Sequence, residues 1–314
     1  MTKKNEKQRS EFTVRFWGVR GSHAVPGAGT VGVGGNTACI EVRAAGRVLV
    51  IDAGTGIVGL GRQLAADAAA NDKASELTLL ISHTHHDHTQ GFPFFRPLHD
   101  PRSRIHIYGP RYNGESMEDA LRTALLSPYF PVPLDGMAAT IDIGNLEGGE
   151  IIAWGRGRQA PELRRRAPSA TKQPRVRVLR CRNHPGWGVL AFRVELDGRS
   201  LVYASDIEGS GDDGGKRLAA FCRDCDVLIH DAQYLPAEYH GRDGDRRGYG
   251  HSTFEMACDL ALRARSRRLL LYHFNPEHDD GLVARVERAA RTMFSAAAAA
   301  REGLVIDLAR TTHS

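Results

Sequence analysis

The segment Ser82–His88 constrains this chain more than any other stretch, because it places four metal-binding side chains within six residues. These side chains directly follow the apolar run Leu77–Ile81, which is typical of a buried strand. On a regular strand or helix they would point in different directions, whereas a loop after the strand lets them converge. The four residues are His83, His85, Asp87 and His88. Their imidazole nitrogens and carboxylate oxygen suit zinc, manganese or iron, so the segment predicts two neighbouring metal ions.

Four local ligands do not complete two metal sites, so donors from distant parts of the chain are required. Histidine or aspartate also follows several other strand-like runs, at Asp52, His184, Asp206, Asp231 and His273. Because the carboxyl ends of strands meet at one edge of a sheet, these positions predict a single polar site. His184, Asp206 and His273 are available as such distant donors.

Strand-like and helical patterns interleave along the whole length, without an internal repeat. Helical spacing is found over Ile57–Ala69, Met117–Leu126 and Leu282–Met293, and the run Ala296–Ala300 is expected to end the last helix. We therefore expect one domain over residues 12–314, with sheets inside and helices outside, after a disordered tail over residues 1–11. The strand-like runs are Phe12–Trp17, Ala38–Val42, Val48–Ile51, Leu77–Ile81, Arg104–Tyr108, Arg175–Cys181, Val189–Leu196, Leu201–Ala204, Val227–Ile229 and Leu269–Tyr272.

The motif His83-x-His85-x-Asp87-His88 resembles the metallo-β-lactamase superfamily, and specifically its phosphodiesterase and tRNA 3′-endonuclease (ribonuclease Z-like) branch. Within that branch the chain is most similar to bacterial cyclic-nucleotide phosphodiesterase-like proteins, and the resemblance covers about residues 12–280. Further matches are Phe16–Ser22, Gly34–Thr37, Asp52–Gly56, Ser205–Asp206, His230–Tyr234, Gly250–Thr253 and Leu271–His273.

The resemblance implies an αββα sandwich of two mixed sheets with helices outside and the site at one edge of the sheets. It implies two divalent metal ions, with zinc expected and manganese or iron as alternatives. It places His83, His85 and His184 on one ion, Asp87, His88 and His273 on the other, and Asp206 between them. Aspartate at position 206 separates the chain from lactamases that use cysteine there. Histidine rather than glutamate at position 85 speaks against the di-iron redox relatives.

We expect a binuclear metal-dependent phosphodiesterase in which a hydroxide held between the ions attacks phosphorus and Asp87 also orients that hydroxide. The segment Ser252–Glu255 fits a capping box and predicts a helix directly after His251. His251 would lie beside the helix N-terminus, where a phosphate can bind, and related phosphodiesterases imply that it donates the proton to the leaving group. We expect Asp231 to hydrogen-bond the ring of His251, and Asp52 to orient a ligand histidine or to stabilise a turn.

Several substrates are compatible with such a centre. A small anionic phosphodiester, a cyclic nucleotide, is expected first, because the opening segment Phe16–Ser22 is so similar to that group. A tRNA 3′-processing endoribonuclease is the alternative, motivated by the basic stretch 155–179, in which eight cations and one carboxylate give +7 against +5 for the chain. We interpret that stretch as a long surface loop. A lactone or thioester hydrolase would not need His251, and a regulatory metal-binding protein would lack catalysis.

The remaining features limit the setting. The N-terminal residues contain no apolar signal segment, and no apolar run is long enough for a membrane span, so we expect a cytoplasmic protein without a membrane partner. Related enzymes suggest a homodimer. Five cysteines do not form a disulfide framework, and we interpret Cys222 and Cys225 as unrelated thiols. We assign no role to His86, His278, Asp279 or Asp280, and interpret them as solvated loop positions.

Overall fold

The computed structural model describes residues 11–155, 160–166, 172–241 and 244–310. Its strands are β1 (Phe12–Gly18), β2 (Cys39–Ala44), β3 (Arg47–Ile51), β4 (Glu76–Leu80), β5 (Arg104–Pro110), β6 (Thr140–Leu146), β7 (Ile151–Ala153), β8 (Glu162–Arg164), β9 (Arg175–Cys181), β10 (Val189–Leu196), β11 (Arg199–Ala204), β12 (Val227–Asp231), β13 (His240–Gly241), β14 (Gly244–Asp245), β15 (Leu269–Tyr272), β16 (Ala297–Ala299) and β17 (Val305–Asp307). Its helices are α1 (Gly56–Ala70), α2 (His86–Thr89), α3 (Met117–Ala124), α4 (Asp213–Cys222), α5 (Pro236–Tyr239), α6 (Phe254–Ala264) and α7 (Asp280–Met293). Single 3-10 turns occupy Phe92–Phe94, Arg96–His99 and Leu134–Gly136.

Two large mixed sheets form the centre of the fold. The first has the strand order β17-β1-β2-β3-β4-β5-β6, and the second has the order β16-β15-β12-β11-β10-β9-β7-β8. In the first sheet β3 to β6 are parallel and the other pairs are antiparallel. In the second sheet β11, β12, β15 and β16 are parallel. A small hairpin, β13-β14, stands apart from both.

The alternation of apolar residues along the strands determines which face meets which layer. In β3, Leu49 and Ile51 belong to the core between the sheets, whereas Val50 belongs to the core under the helices of the first sheet. The inter-sheet core is completed from the second sheet by residues such as Phe192 and Tyr203, which are fully buried. Both faces of the central strands are therefore covered, which is what parallel strands require.

The helices lie on the two outer faces. α1 buries Ile57, Leu60 and Leu64 against the first sheet, where α3 also packs. α4, α6 and α7 pack on the second sheet. The predicted αββα sandwich is confirmed. In the described parts of the chain, no helix combines the length and the apolar character that a membrane span needs.

Parts of the expected fold differ from the structure or lie outside it. The run Ala296–Ala300 does not end a helix, because Ala297–Ala299 forms edge strand β16 beside β15, and sheet pairing overrides the helix propensity of alanine. The stretch 155–179 is a loop only in part, since Glu162–Arg164 pairs with β7 and β9 begins at Arg175. Residues 156–159 and 167–171 of that stretch, and all but Glu11 of the expected tail, lie outside the described residues.

Candidate metal centre

Three side chains of the candidate centre share an unusual backbone conformation. Asp52 follows β3, Asp206 follows β11 and His273 follows β15, and their φ angles are 63°, 57° and 60°. Left-handed backbone is uncommon for residues other than glycine, and it clusters where a fold holds functional side chains against a local cost. Each of these strands ends by turning its next side chain towards the same edge of the sandwich.

A first cluster of donors consists of His83, His85 and His184, whose ligand atoms lie within 4.8 Å of one another. His83 follows β4, and His85 lies at the N-terminus of α2. His184 comes from the loop after β9, and its Nε2 is 3.3 Å from Nδ1 of His85. The first-ion set implied by the resemblance therefore comes together in space.

A second cluster consists of Asp87, His88, Asp206 and His273. His88 Nε2 is 3.4 Å from Asp87 Oδ2, 3.2 Å from Asp206 Oδ2 and 3.2 Å from His273 Nε2. His273 Nε2 is 3.1 Å from Asp87 Oδ2. Asp206 also approaches the first cluster, because its Oδ1 lies 3.8 Å from His83 Nε2. The carboxylate of Asp206 thus stands between the two sets of donors.

The chemistry of these donors fits metal ions. Burial lowers the pKa of His83, His85 and His184, which favours the neutral imidazole that coordinates metals. His83 Nε2 is buried and has no hydrogen-bond partner among the described residues, which leaves a donor nitrogen without protein compensation. Burial disfavours the charged form of His88, yet the carboxylates of Asp206, Asp87 and Asp52 raise its pKa well above its ordinary value. The pocket therefore favours positive charge at this point.

Asp52 ties the second cluster to both sheets. Its Oδ2 accepts hydrogen bonds from Ser82 Oγ at 2.8 Å and from Tyr203 Oη at 2.6 Å, and it lies 2.7 Å from His88 Nδ1. Its Oδ1 accepts the backbone N–H of Ser82 at 2.7 Å. Asp52 thus contacts His88, one of the candidate metal donors. Ser82 and Tyr203 were not identified from the sequence, and nothing in the pattern connects Tyr203 to a residue 151 positions earlier.

The glycine-rich segment Gly21–Asn36 reaches the centre. The backbone N–H of Ser22 donates to Asp87 Oδ2 at 2.7 Å. A Cβ atom at Gly21 would stand 2.4 Å from Cε1 of His273, so only glycine allows this close approach. The loop thereby fixes one ligand from each of two distant segments.

His251 lies at the rim of the same centre. Its ring stacks on His273 with centroids 5.2 Å apart and an interplanar angle of 14°, and its Nδ1 lies 2.9 Å from Asp231 Oδ2. Burial disfavours the ionised form of Asp231, but the neighbouring His251 and His273 lower its pKa to about 2. His251 Nε2 has no hydrogen bond to any described residue, so it is free to face a substrate.

The helix after His251 is present, but its cap differs from the prediction. α6 begins at Phe254, and its N-cap is Thr253, whose hydroxyl accepts from the Met256 N–H. Ser252 is buried instead, where its N–H donates to Asp231 Oδ1 and its hydroxyl donates to the Ile207 carbonyl. The predicted capping box was wrong, because Ser252 does not cap α6. Its backbone N–H instead ties the loop that carries His251 to Asp231, the last residue of β12.

Glu208, which sequence reasoning missed, anchors the other side of this loop. Its carboxylate accepts the N–H groups of Gly248 and Gly250 and the hydroxyl of Tyr239. Gly250 directly precedes His251, and its carbonyl lies 3.3 Å from Nδ1 of His184. The position of Glu208 two residues after Asp206 was the available signal in the sequence.

The four residues that were assigned no role from the sequence, and the two cysteines, lie in different surroundings. His86 is exposed, as expected. His278 is not a solvated loop residue, because it is 2% exposed and its Nε2 lies 2.9 Å from Glu238. Asp279 caps α7, and Asp280 accepts the backbone N–H groups of Gly32 and Val33. Cys222 and Cys225 are buried free thiols.

A family model described as "Beta-lactamase superfamily domain" matches residues 47–274, which is most of the chain. The chain belongs to the metallo-β-lactamase superfamily. It is similar to ribonuclease Z of Thermococcus kodakarensis, with 27% identity over 266 residues that cover 76% of this chain and 78% of the relative.

Solved structures of lower identity share the fold of this chain. The metallo-β-lactamase fold protein YhfI of Bacillus subtilis has a TM-score of 0.63 and 18% identity, covering 95% of this chain and 99% of that one. Zinc-bound PqqB of Methylobacterium extorquens has a TM-score of 0.62 and 16% identity, covering 94% and 100%. This protein is therefore a hydrolase of the superfamily, and the fold typically binds divalent metals.

Proposed function

We propose that this chain is a binuclear metal-dependent phosphodiesterase that uses His251 as its proton donor. The observation that carries the proposal is the place of His251, whose ring stacks on His273 while Asp231 holds its Nδ1. A thioester hydrolase would have less need of a proton donor at this position, because its leaving group is a stabilised thiolate. A phosphodiester needs one, because its leaving oxygen departs as an alkoxide.

In this proposal His83, His85 and His184 would hold one ion and Asp87, His88 and His273 the other, with the Asp206 carboxylate available to both. Histidine and aspartate together suit zinc, with manganese or iron as alternatives. When bound, such ions polarise a phosphoryl oxygen and lower the pKa of water, so that a nucleophile is available at neutral pH. The convergence of the donor atoms within 4.8 Å in each cluster supports this arrangement.

His251, Asp231 and Asp87 have separate roles in the proton transfers. Water adds across the P–O bond, so its oxygen ends on phosphorus and the leaving oxygen takes a proton from Nε2 of His251. The proton that the attacking water loses returns to Nε2 and restores the protonated His251. Asp231 holds the Nδ1–H, which fixes the tautomer and the orientation of the ring. Asp87, held by Ser22, is placed to orient the attacking water.

We favour RNA over a cyclic nucleotide as the substrate, because the curated relatives that this chain matches are ribonucleases Z. The cyclic-nucleotide prediction rests on the likeness of the segment Phe16–Ser22 and stays a prediction, as does the homodimer. One panel tests both substrates: metal-loaded protein with precursor tRNA, with 3′,5′-cyclic nucleotides and with bis(p-nitrophenyl) phosphate. Cleavage of precursor tRNA without turnover of cyclic nucleotides is expected. Turnover of cyclic nucleotides alone would reverse the order, and cleavage of no phosphodiester would refute the proposal.

Replacing Asp52 with asparagine is expected to weaken metal binding roughly 10–100-fold, the usual effect of losing a partner that orients a ligand histidine. Asparagine tolerates left-handed backbone, so the turn is kept. Competition with a chromophoric zinc chelator measures the change. Tyr203→Phe removes a single hydrogen bond to the same oxygen and is the matched control, with a smaller expected loss. Wild-type affinity in Asp52→Asn would show that Asp52 serves only the turn.

A further inference from the structure

A charged groove of about 430 Å³ lies between β9, the turn from β6 to β7 and α4, outside the candidate metal centre. We call it the arginine groove. Five arginines against two glutamates give its charged lining a net charge of +3. These residues are Arg165, Arg177, Arg180, Arg182 and Arg217, with Glu147 and Glu150. A concave surface with an excess of one sign concentrates ligands of the opposite sign.

The arginines of the groove are not equally committed to the protein. Arg165 pairs with Glu150 at 3.1 Å, and Arg180 donates to four backbone carbonyls, which leave its charge uncompensated. Arg177 lies 4.0 Å from Glu195. Arg182 and Arg217 are exposed and form no ion pair with any residue that the structure describes. These last two guanidinium groups are free to bind an external anion.

The groove is linked to the metal centre through the chain, because one of its arginines lies close in sequence to a histidine of the first cluster. Arg182 stands two residues before His184, in the loop that follows β9, and Arg177 lies on the same strand further from the site. At about 3.3 Å per residue, Arg182 and Arg177 are separated by roughly 16 Å along the chain. That length accommodates several phosphates of a nucleic-acid strand, whereas a mononucleotide bound at the ions would not reach along it.

An exposed aromatic residue, Trp187, follows His184 by three positions in the loop after β9. Arg180 Nη1 donates to the carbonyl of Trp187 at 3.2 Å, and Trp187 exposes 55% of its surface. Exposed aromatic rings beside basic residues are the usual platform on which unpaired bases stack. The loop that carries His184 therefore offers both an exposed guanidinium, Arg182, and an exposed indole, Trp187.

We propose that the arginine groove binds the sugar-phosphate backbone of RNA next to the scissile phosphate, so that the substrate is a polynucleotide rather than a mononucleotide. This inference rests on the proposed phosphodiesterase function. Arg182 and Arg217 supply the main contacts, because guanidinium groups bind phosphate through paired hydrogen bonds. The rest of the groove supplies a favourable field.

The test replaces both arginines, as R182Q/R217Q, in the metal-loaded protein. The double variant R285Q/R288Q is the matched control, because those exposed arginines lie on α7, which packs at the opposite edge of the second sheet. Binding of a fluorescein-labelled phosphorothioate RNA is followed by anisotropy over a range of salt concentrations. We expect R182Q/R217Q to raise Kd about tenfold and to flatten the slope of log Kd against log salt by about 1.4, roughly 0.7 for each phosphate that the variant no longer neutralises. R285Q/R288Q should leave both unchanged.

Kinetics separate this inference from the proposed function. The ratio of kcat/KM for RNA to kcat/KM for bis(p-nitrophenyl) phosphate is expected to fall about tenfold in R182Q/R217Q. The fall should come from a higher KM for RNA. Unchanged RNA binding and an unchanged ratio would overturn the proposed RNA binding by the groove, while the proposed phosphodiesterase function would stand. An equal loss for both substrates would also overturn it, because the effect would then act through the metal centre. If the wild-type protein cleaves no phosphodiester, the function fails, and the binding experiment still tests the groove.

Discussion

Replacing His251 with alanine is expected to slow phosphodiester cleavage by roughly 10²–10⁴-fold, the scale of general acid catalysis, while metal content stays at the wild-type level. The leaving alkoxide then departs without a positioned proton donor. We expect metal to be retained because His251 Nδ1 lies closer to Asp231 (2.9 Å) than to Asp206 (3.8 Å), and because His251 belongs to neither of the two clusters proposed to hold the ions. Single-turnover rates and metal analysis of the purified variant measure the two quantities separately.

His86→Ala is the matched control for this experiment, because His86 is an exposed histidine of the ligand segment that belongs to neither donor cluster. Its rate should stay within a factor of about two of wild type, as expected for a surface substitution. A leaving group that needs no proton, such as p-nitrophenolate, should reduce the effect of His251→Ala. A wild-type rate for His251→Ala with precursor tRNA would remove His251 from the mechanism.

Replacing Asp206 with alanine is expected to remove at least one metal equivalent and to lower activity by at least about 10³-fold, since several kcal/mol of charge stabilisation are lost. The Asp206 carboxylate lies 3.2 Å from His88 Nε2 and 3.3 Å from His273 Nε2, and it also approaches His83. Without it, buried histidines of both clusters lose their shared counter-charge. Metal content by mass spectrometry and thermal unfolding are measured on the same sample.

Two further variants serve as controls for the backbone strain that alanine introduces at position 206. Asp206→Asn keeps the volume and tolerates the left-handed conformation, but it lacks the charge, and we expect it to lose metal as well. Asp224→Ala carries the same left-handed penalty, with φ of 55°, at an exposed position paired with Arg265. It should lose stability without losing metal. Two full metal equivalents in a folded Asp206→Ala protein would refute the shared position of this carboxylate.

The sandwich was predictable because its signals are local. Strands β9, β10 and β15 begin and end where their apolar patterns do, since each is buried within a sheet whose register the pattern sets. α4 was missed because Gly214 and Gly215 in its first turn conceal a helix that Asp212 caps. β16 was misassigned because only its place beside β15 makes an alanine run extended.

The candidate site divides in the same way. The convergence of the candidate donors was predictable because histidine and aspartate directly after strands are visible in the sequence. The interactions that hold them were not, because they join distant segments. Tyr203 reaches Asp52 across the two sheets, and Glu208 holds the loop before His251. Nor does any pattern indicate that Asp206 adopts left-handed backbone.

The metal dependence of phosphodiester cleavage tests the central claim most directly. The protein is stripped with a chelator, reloaded stepwise with zinc or manganese, and assayed with precursor tRNA and bis(p-nitrophenyl) phosphate after each addition. We predict no cleavage by the stripped protein and full recovery on the second equivalent of metal. Cleavage that persists in the metal-free protein, or no cleavage of either substrate with two equivalents bound, would contradict a binuclear phosphodiesterase.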